Sequence, residues 1–243
     1  MESSSHKVTR SAAGDRVLVI MAKAPRPGSV KTRLSSSLSV ESAVSFYRCL
    51  LEDTLALAFS LSGVEVAIMC PESDVTEFRP LTGNQVTVVA QKGVGLAAGL
   101  TSVFAHFTAD RERRVIAFNS DSPHLPSFAL KDAFEVLARR DVVIGPTHDG
   151  GYYLVGAKAF HPTLFACDGM GTSTALARLQ TNVRANQLSV GFTEPFYDVD
   201  VSDDLLRLAA DLRLAPERAP LTAAWLADWE GARAEARTLT AKL

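Results

Sequence analysis

Apolar β-branched runs alternate with runs of helical periodicity through the first 140 residues, and this alternation restricts the chain more than any other feature. RVLVIMAK (16–23) is an unbroken apolar run, the pattern of a strand buried on both faces. SVESAVSFYRCLLEDTLALAFSL (39–61) sets Ala43, Val44, Tyr47, Leu50, Leu51, Thr54 and Leu55 at helical spacing, with Ser39 as N-cap. GVEVAIMCP (63–71) and QVTVVAQ (85–91) predict two more strands, and GLAAGLTSVFAHFTA (95–109) a helix. RRVIAFNSDSP (113–123) reads as a strand running into an acidic turn, and SFALKDAFEVLARR (127–140) as a helix capped by Ser127. DVVIGPTHDGGYYLVGA (141–157) reads as strand, loop and strand; FYDVDVSDDLLRLAADLRL (196–214) as a short strand and a helix capped by Ser202. Such alternation predicts an α/β fold: three layers, a mostly parallel but mixed sheet, helices on both faces. No repeat or linker interrupts it, so residues 16–243 are expected to form a single domain after a mobile polar segment, 1–15.

Composition narrows the class. A formal charge of −2 on 243 residues argues against a general nucleic-acid or membrane-surface binder. No apolar run approaches the roughly 20 residues of a membrane helix, and the N-terminus has no signal-peptide core, so a cytoplasmic protein is expected. Cys49, Cys70 and Cys167 are far apart, without metal-ligand spacing, and read as buried reduced thiols.

In parallel sheets ligands bind beyond the carboxyl ends of the strands. Polar clusters follow several of the predicted strands. KAPRPGSVKTRL (23–34) carries four cations, Lys23, Arg26, Lys31 and Arg33, and no acid. A multiply charged phosphate chain suits such a turn, with Gly28 allowing close backbone approach. Lys23, Gly28, Lys31, Thr32 and Arg33 are therefore candidate nucleotide-binding residues. The spacing is not that of a Walker loop, and a solvated basic loop is the plain alternative. In FNSDSPHLP (118–126), Asp121 stands where a strand ends, a place for a carboxylate on Mg²⁺ (or Mn²⁺); the alternative is a helix cap, a role Ser127 fills better. His124 reads as a turn residue. Asp149, Gly150, Gly151 and Tyr152 are candidate substrate-binding residues, although Asp-Gly is also a hairpin signal. Asp198 and Asp200 would share one face of a strand, and one of them is a candidate second metal ligand opposite Asp121. Lys31 and Asp121 are the candidate catalytic pair, stabilising charge at phosphorus.

MAKAPRPGSVKTRL, NSDSPHLP, GPTHDGGYYLVG and DVDVSDDL together resemble the glycosyltransferase-like transferases found beside radical-SAM and selenodomain genes, some of them labelled arsenosugar-biosynthesis glycosyltransferases. The resemblance spans about residues 16–214 and implies a GT-A-like nucleotide-diphospho-sugar transferase fold. VKTRL and DVDVSDDL are also similar to motifs of the 2-phospho-lactate and molybdenum-cofactor guanylyltransferases. By that resemblance Lys31 and Arg33 contact phosphates, while Asp121 and Asp200 hold the metal. The chain departs from the family after the third strand, where Gly95 and Gly99 stand in place of an acid and an arginine, and at GMGTST (169–174), which lacks a tryptophan.

Three functions follow. The first is Mg²⁺-dependent nucleotidyl transfer from a nucleoside triphosphate to a small phosphorylated or acidic acceptor, releasing pyrophosphate. The second is glycosyl transfer from a nucleotide sugar, with Asp149 as candidate base or acceptor contact. The third is nucleotide binding without catalysis. Fold alone does not choose among them.

Overall fold

A computed structural model describes residues 14–83, 85–166 and 169–240. Cys167 and most of the polar N-terminal segment lie outside them. Seven strands form one sheet: β1 (Arg16–Met21), β2 (Glu65–Cys70), β3 (Thr87–Ala90), β4 (Arg114–Asn119), β5 (Val142–Pro146), β6 (Tyr152–Ala157) and β7 (Val190–Phe192). Their spatial order is β3-β2-β1-β4-β6-β5-β7. Every pairing is parallel except those of β6, which runs antiparallel to both β4 and β5. This is the α/β GT-A-like architecture expected from the alternation of elements.

Both faces of the sheet are covered, which explains why its central strands are apolar without interruption. Leu18 and Ile20 face α1 (Val40–Phe59), α2 (Val75–Thr82) and α4 (Ser127–Arg139), packing with Leu51, Phe78, Leu130 and Phe134. Val17 and Val19 face α3 (Leu96–Phe107) and α5 (Ala175–Ala185), with Phe104, Leu179 and Val183. A further cluster joins α1 to α6 (Ser202–Leu214) and α7 (Pro220–Thr240) through Phe46, Leu50, Leu208 and Leu226. No helix among the described residues is long and apolar enough to cross a membrane.

Several local expectations need correction. Gly14 and Asp15, assigned to the tail, are tied to the body: Arg114 N donates to Asp15 O at 2.8 Å, and the two side chains pair at 2.7 Å. Ser39 does cap α1, its hydroxyl accepting from Ser42 N at 3.1 Å. Ser127 does not cap α4; it is the first helical residue, Pro126 precedes it, and no side chain caps that end. The 196–201 stretch is not a strand, since only an isolated bridge from Phe196 to Thr147 attaches it to the sheet. Ser202 likewise lies inside α6, and the Asp204 carboxylate caps its start by accepting from Asp200 N and Val201 N at 2.9 and 2.8 Å. Cys70 is buried as expected, while Cys49 is only half-buried.

Candidate active site

Since all strands but β6 run the same way, the segments after β1, β2, β3, β4, β5 and β7 emerge at one end of the sheet. A cleft of about 820 Å³ opens there. Its polar lining includes Lys23, Ser29, Lys31, Thr32, Arg33, Ser120, Asp121 and Asp200, and its apolar lining Met21, Met69, Val94 and Leu96.

The segment after β1 is pinned at several points. Ala24 N donates to the buried Asp74 carboxylate at 2.7 Å, and Lys23 N donates to the Tyr47 hydroxyl at 3.2 Å. That hydroxyl also shares a hydrogen bond with Ser120 Oγ at 3.1 Å, so the turns after β1 and β4 are held through one phenol. Burial, then the negative charge of Asp121, raise the Tyr47 pKa and keep the phenol neutral. Gly28 has φ +73, and a Cβ placed on it would meet nothing within 4 Å. That positive φ favours glycine, and Gly28 is not among the residues lining the cleft, although its neighbour Ser29 is.

Three of the four cations are opposed by acids in space. Arg26 pairs with Asp74 at 2.8 Å and also with Glu77, so it braces the segment after β2 and is absent from the cleft lining. Lys31 Nζ lies 2.5 Å from Asp121 Oδ1 and 3.6 Å from Asp200 Oδ1, and donates to Val199 O at 2.6 Å. Its side chain is only 5% exposed. Asp121 Oδ1 makes no aligned hydrogen bond, so its contact with the ammonium is ionic. Arg33, more exposed, reaches Asp200 Oδ2 at 3.1 Å. Lys31 holds this position with a left-handed backbone, φ 50 and ψ 33, between the buried Val30 and Leu34. That region is uncommon for a residue with a side chain.

The structure thus brings together Lys31 and Arg33 of one turn with Asp121 and Asp200, from segments far apart in sequence. Asp198 lies nearby; burial foremost, then the charges of Asp200 and Asp121, push its carboxyl up to about 6. Of the two candidates, Asp200 is the one that lines the cleft. No cluster of three or more His, Cys, Asp or Glu among the described residues is arranged to hold a metal. Mg²⁺ needs fewer, because one or two carboxylates suffice when phosphate oxygens and waters complete its shell. Two carboxylates already sharing one cation, one with a buried oxygen free of hydrogen bonds, fit that demand.

The HDGG turn stands apart. None of Asp149, Gly150, Gly151 and Tyr152 is among the residues lining the cleft. Asp149 Oδ1 accepts from Thr147 Oγ1 at 2.5 Å and from Gly151 N at 3.2 Å, and the Thr147 bond is the foremost cause that lowers its pKa. Arg33 also lowers it by charge, so Asp149 faces the same side of the molecule. Gly150, at φ +89, comes so near the 173 carbonyl that a Cβ would sit 2.1 Å from it. Tyr152 packs with the α3 and α5 face and donates to Met170 Sδ at 3.5 Å.

Sequence reasoning missed the roles of Asp74 and Tyr47, which hold the site without being its most charged members. Position was the available signal for Asp74, just past the carboxyl end of β2.

No curated protein matches the sequence. Among solved structures, a protein of Desulfovibrio desulfuricans G20 whose name places it with the nucleotide-diphospho-sugar transferases is 28% identical, with a TM-score of 0.81 over 90% of this chain and 96% of that one. The 4-diphosphocytidyl-2C-methyl-D-erythritol synthase of Anaerococcus prevotii DSM 20548 shares the fold at 10% identity and a TM-score of 0.56, over 84% of this chain and 100% of that one. A CMP:2-keto-3-deoxy-manno-octonic acid synthetase, solved in complex with CTP, does so at 12% identity and 0.54, over 82% and 99%. Residues 54–172, which include Asp121 and the HDGG turn but neither Lys31 nor Asp200, match the family model described as an uncharacterized protein conserved in bacteria (DUF2064).

Proposed function

We propose that the chain is a Mg²⁺- or Mn²⁺-dependent nucleotidyltransferase. It would move a nucleoside monophosphate from a nucleoside triphosphate to a small phosphorylated or acidic acceptor. The observation that carries this reading is the convergence of Lys31, Arg33, Asp121 and Asp200 on one wall of the cleft. Such a site suits a phosphate chain bound with a divalent cation, and the apolar side chains that also line the cleft, Met21, Met69 and Leu96, suit the flat face of a base. The fold shared with two nucleotidyltransferases agrees with it.

In this reaction an acceptor oxygen attacks the α-phosphorus in line. The bond from that phosphorus to the α–β bridging oxygen breaks, and pyrophosphate leaves with the electron pair. A bound divalent cation would supply charge stabilisation at the phosphoryl oxygens, held by Asp121 and Asp200. Lys23, Lys31 and Arg33 would take the remaining phosphate charge, with Thr32 beside them. Asp149, Gly150, Gly151 and Tyr152, which lie outside the cleft lining, are left as candidates for the acceptor side.

A second reading is transfer of a sugar from a nucleotide sugar. Two observations favour it: Arg26 is drawn off by Asp74 and Glu77, leaving fewer cations for a triphosphate, and the 28% identical relative is named for nucleotide-diphospho-sugar transfer. Incubation with triphosphates and nucleotide sugars, Mg²⁺ and a panel of acceptors separates the two. Pyrophosphate release supports nucleotidyl transfer; nucleoside diphosphate release supports sugar transfer. Asp121→Asn is expected to abolish metal-dependent nucleotide binding, and to lower the melting temperature because the enclosed Lys31 ammonium loses its nearest carboxylate. Retained binding, read by calorimetry, removes Asp121 from the site.

A further inference from the structure

The ammonium of Lys31 has three oxygen neighbours: Asp121 Oδ1 at 2.5 Å, Val199 O at 2.6 Å and Asp200 Oδ1 at 3.6 Å. Two carboxylates and a carbonyl are donors that a hard divalent cation also takes. The lysine side chain is almost wholly enclosed, and its left-handed backbone is fixed between two buried anchors. Arg33 supplies a second positive charge to Asp200 from the solvent side. The carboxylates are therefore already neutralised, and one ammonium occupies the space between them.

We propose that Lys31 is a tethered cation that occupies the divalent-cation position between Asp121 and Asp200 while the cleft holds no nucleotide. The lysine then excludes the free ion, and the ion enters together with a phosphate chain that draws Lys31 away from the carboxylates. The inference rests on the reading that Asp121 and Asp200 hold metal. It adds an order of binding: nucleotide and cation together, never cation first. An empty site would otherwise collect divalent ions in a form unable to react.

The probe is Mn²⁺ alone, without nucleotide, its free concentration followed by electron paramagnetic resonance at fixed pH and ionic strength. Lys31→Met keeps most of the apolar stem and removes the charge. It is expected to bind one Mn²⁺ tighter than the wild type by about tenfold to a hundredfold, the size of a lost charge-assisted contact. Arg33→Ala removes the same charge without vacating the position and is expected to stay within about threefold of the wild type. Adding Asp121→Asn to Lys31→Met should abolish the gain. Lys31→Gln serves as a second variant if Lys31→Met folds poorly. No gain in either lysine variant overturns the proposal. So does an equal gain in Arg33→Ala, which would make the effect one of general charge, or a gain that survives Asp121→Asn. The product screen for pyrophosphate or diphosphate tests the reaction independently, since it is run with Mg²⁺ and nucleotide together.

Discussion

His124 shows how one side chain sets a pH limit. It is 2% exposed, packs against the rings of Phe196 and Tyr197, and neither of its ring nitrogens has a hydrogen-bond partner among the described residues. Burial foremost pushes its pKa down to about 3; Arg207 and Arg218 act the same way, and Asp211 opposes them. The folded state keeps the ring neutral where the unfolded chain, with an ordinary value of 6.5, takes up a proton. Stability is then complete above pH 6.5 and is lost as pH falls from 6.5 towards 3. The loss at pH 5 is about 2 kcal/mol. Thermal melts at pH 7.5 and pH 5 should therefore differ more in the wild type than in His124→Leu, whose pH 7.5 stability is expected to hold or rise as an unsatisfied polar ring is removed. Equal slopes in the two proteins would remove His124 as the cause. The sequence reading of His124 as a turn residue foresaw no ligand role, and it could not show the burial, which comes from the 196–197 segment folding over it. The same blindness applies to Lys31: its charge and place after a strand were visible, whereas its partners Asp121, Val199 and Asp200 come from the ends of other elements.

Elements differ in how openly the sequence declares them. β1, β2 and β4 are buried on both faces, so their apolar runs were unmistakable. β7 is only three residues long, and α5 is rich in polar side chains; neither carries a pattern that separates it from loop. α7 also went unread, and its start is fixed by a partner remote in sequence. Pro220 opens it, and the buried Asp53 of α1 accepts from Leu221 N at 3.3 Å and from Thr222 N at 2.8 Å. A carboxylate from another helix thus does the work of an N-cap, satisfying two amides that have no partner within α7. Asp53→Ala should cost about 1–3 kcal/mol in chemical denaturation, and Asp53→Asn less, since it keeps an acceptor. An Asp53→Ala protein as stable as the wild type would show that α7 is held by its contacts with Phe46 and Leu50 alone. The HDGG turn was legible as a hairpin turn and is one; that Gly150 sits against residue 173 required the fold. Gly150→Ala, with a Cβ 2.1 Å from that carbonyl and φ +89, is expected to lower the melting temperature markedly. A wild-type melt would mean the two loops separate freely.

At the scale of the molecule, the parallel sheet with its cleft at one end was readable, because alternation of elements implies crossovers and crossovers return every parallel strand to the same end. The strand order was not. After β4 the chain crosses over α4 and lays down β5 one place too far out, and β6 then returns, reversed, into the space between them. This arrangement dictates an order of assembly. β5 has no neighbour on its inner side until β6 arrives, and a short turn joins those two strands, so their pairing closes the smaller loop. β4 pairs with β6 only across the whole length of α4 and β5. The β5–β6 hairpin should therefore form first and dock on β4 as a unit, completing the sheet last at the β4–β6 seam. Pulsed hydrogen exchange during refolding would date the two pairings, and protection at Val115 and Ala117 of β4, whose amides face β6, before that at Val143 and Gly156 of the hairpin would reverse the order.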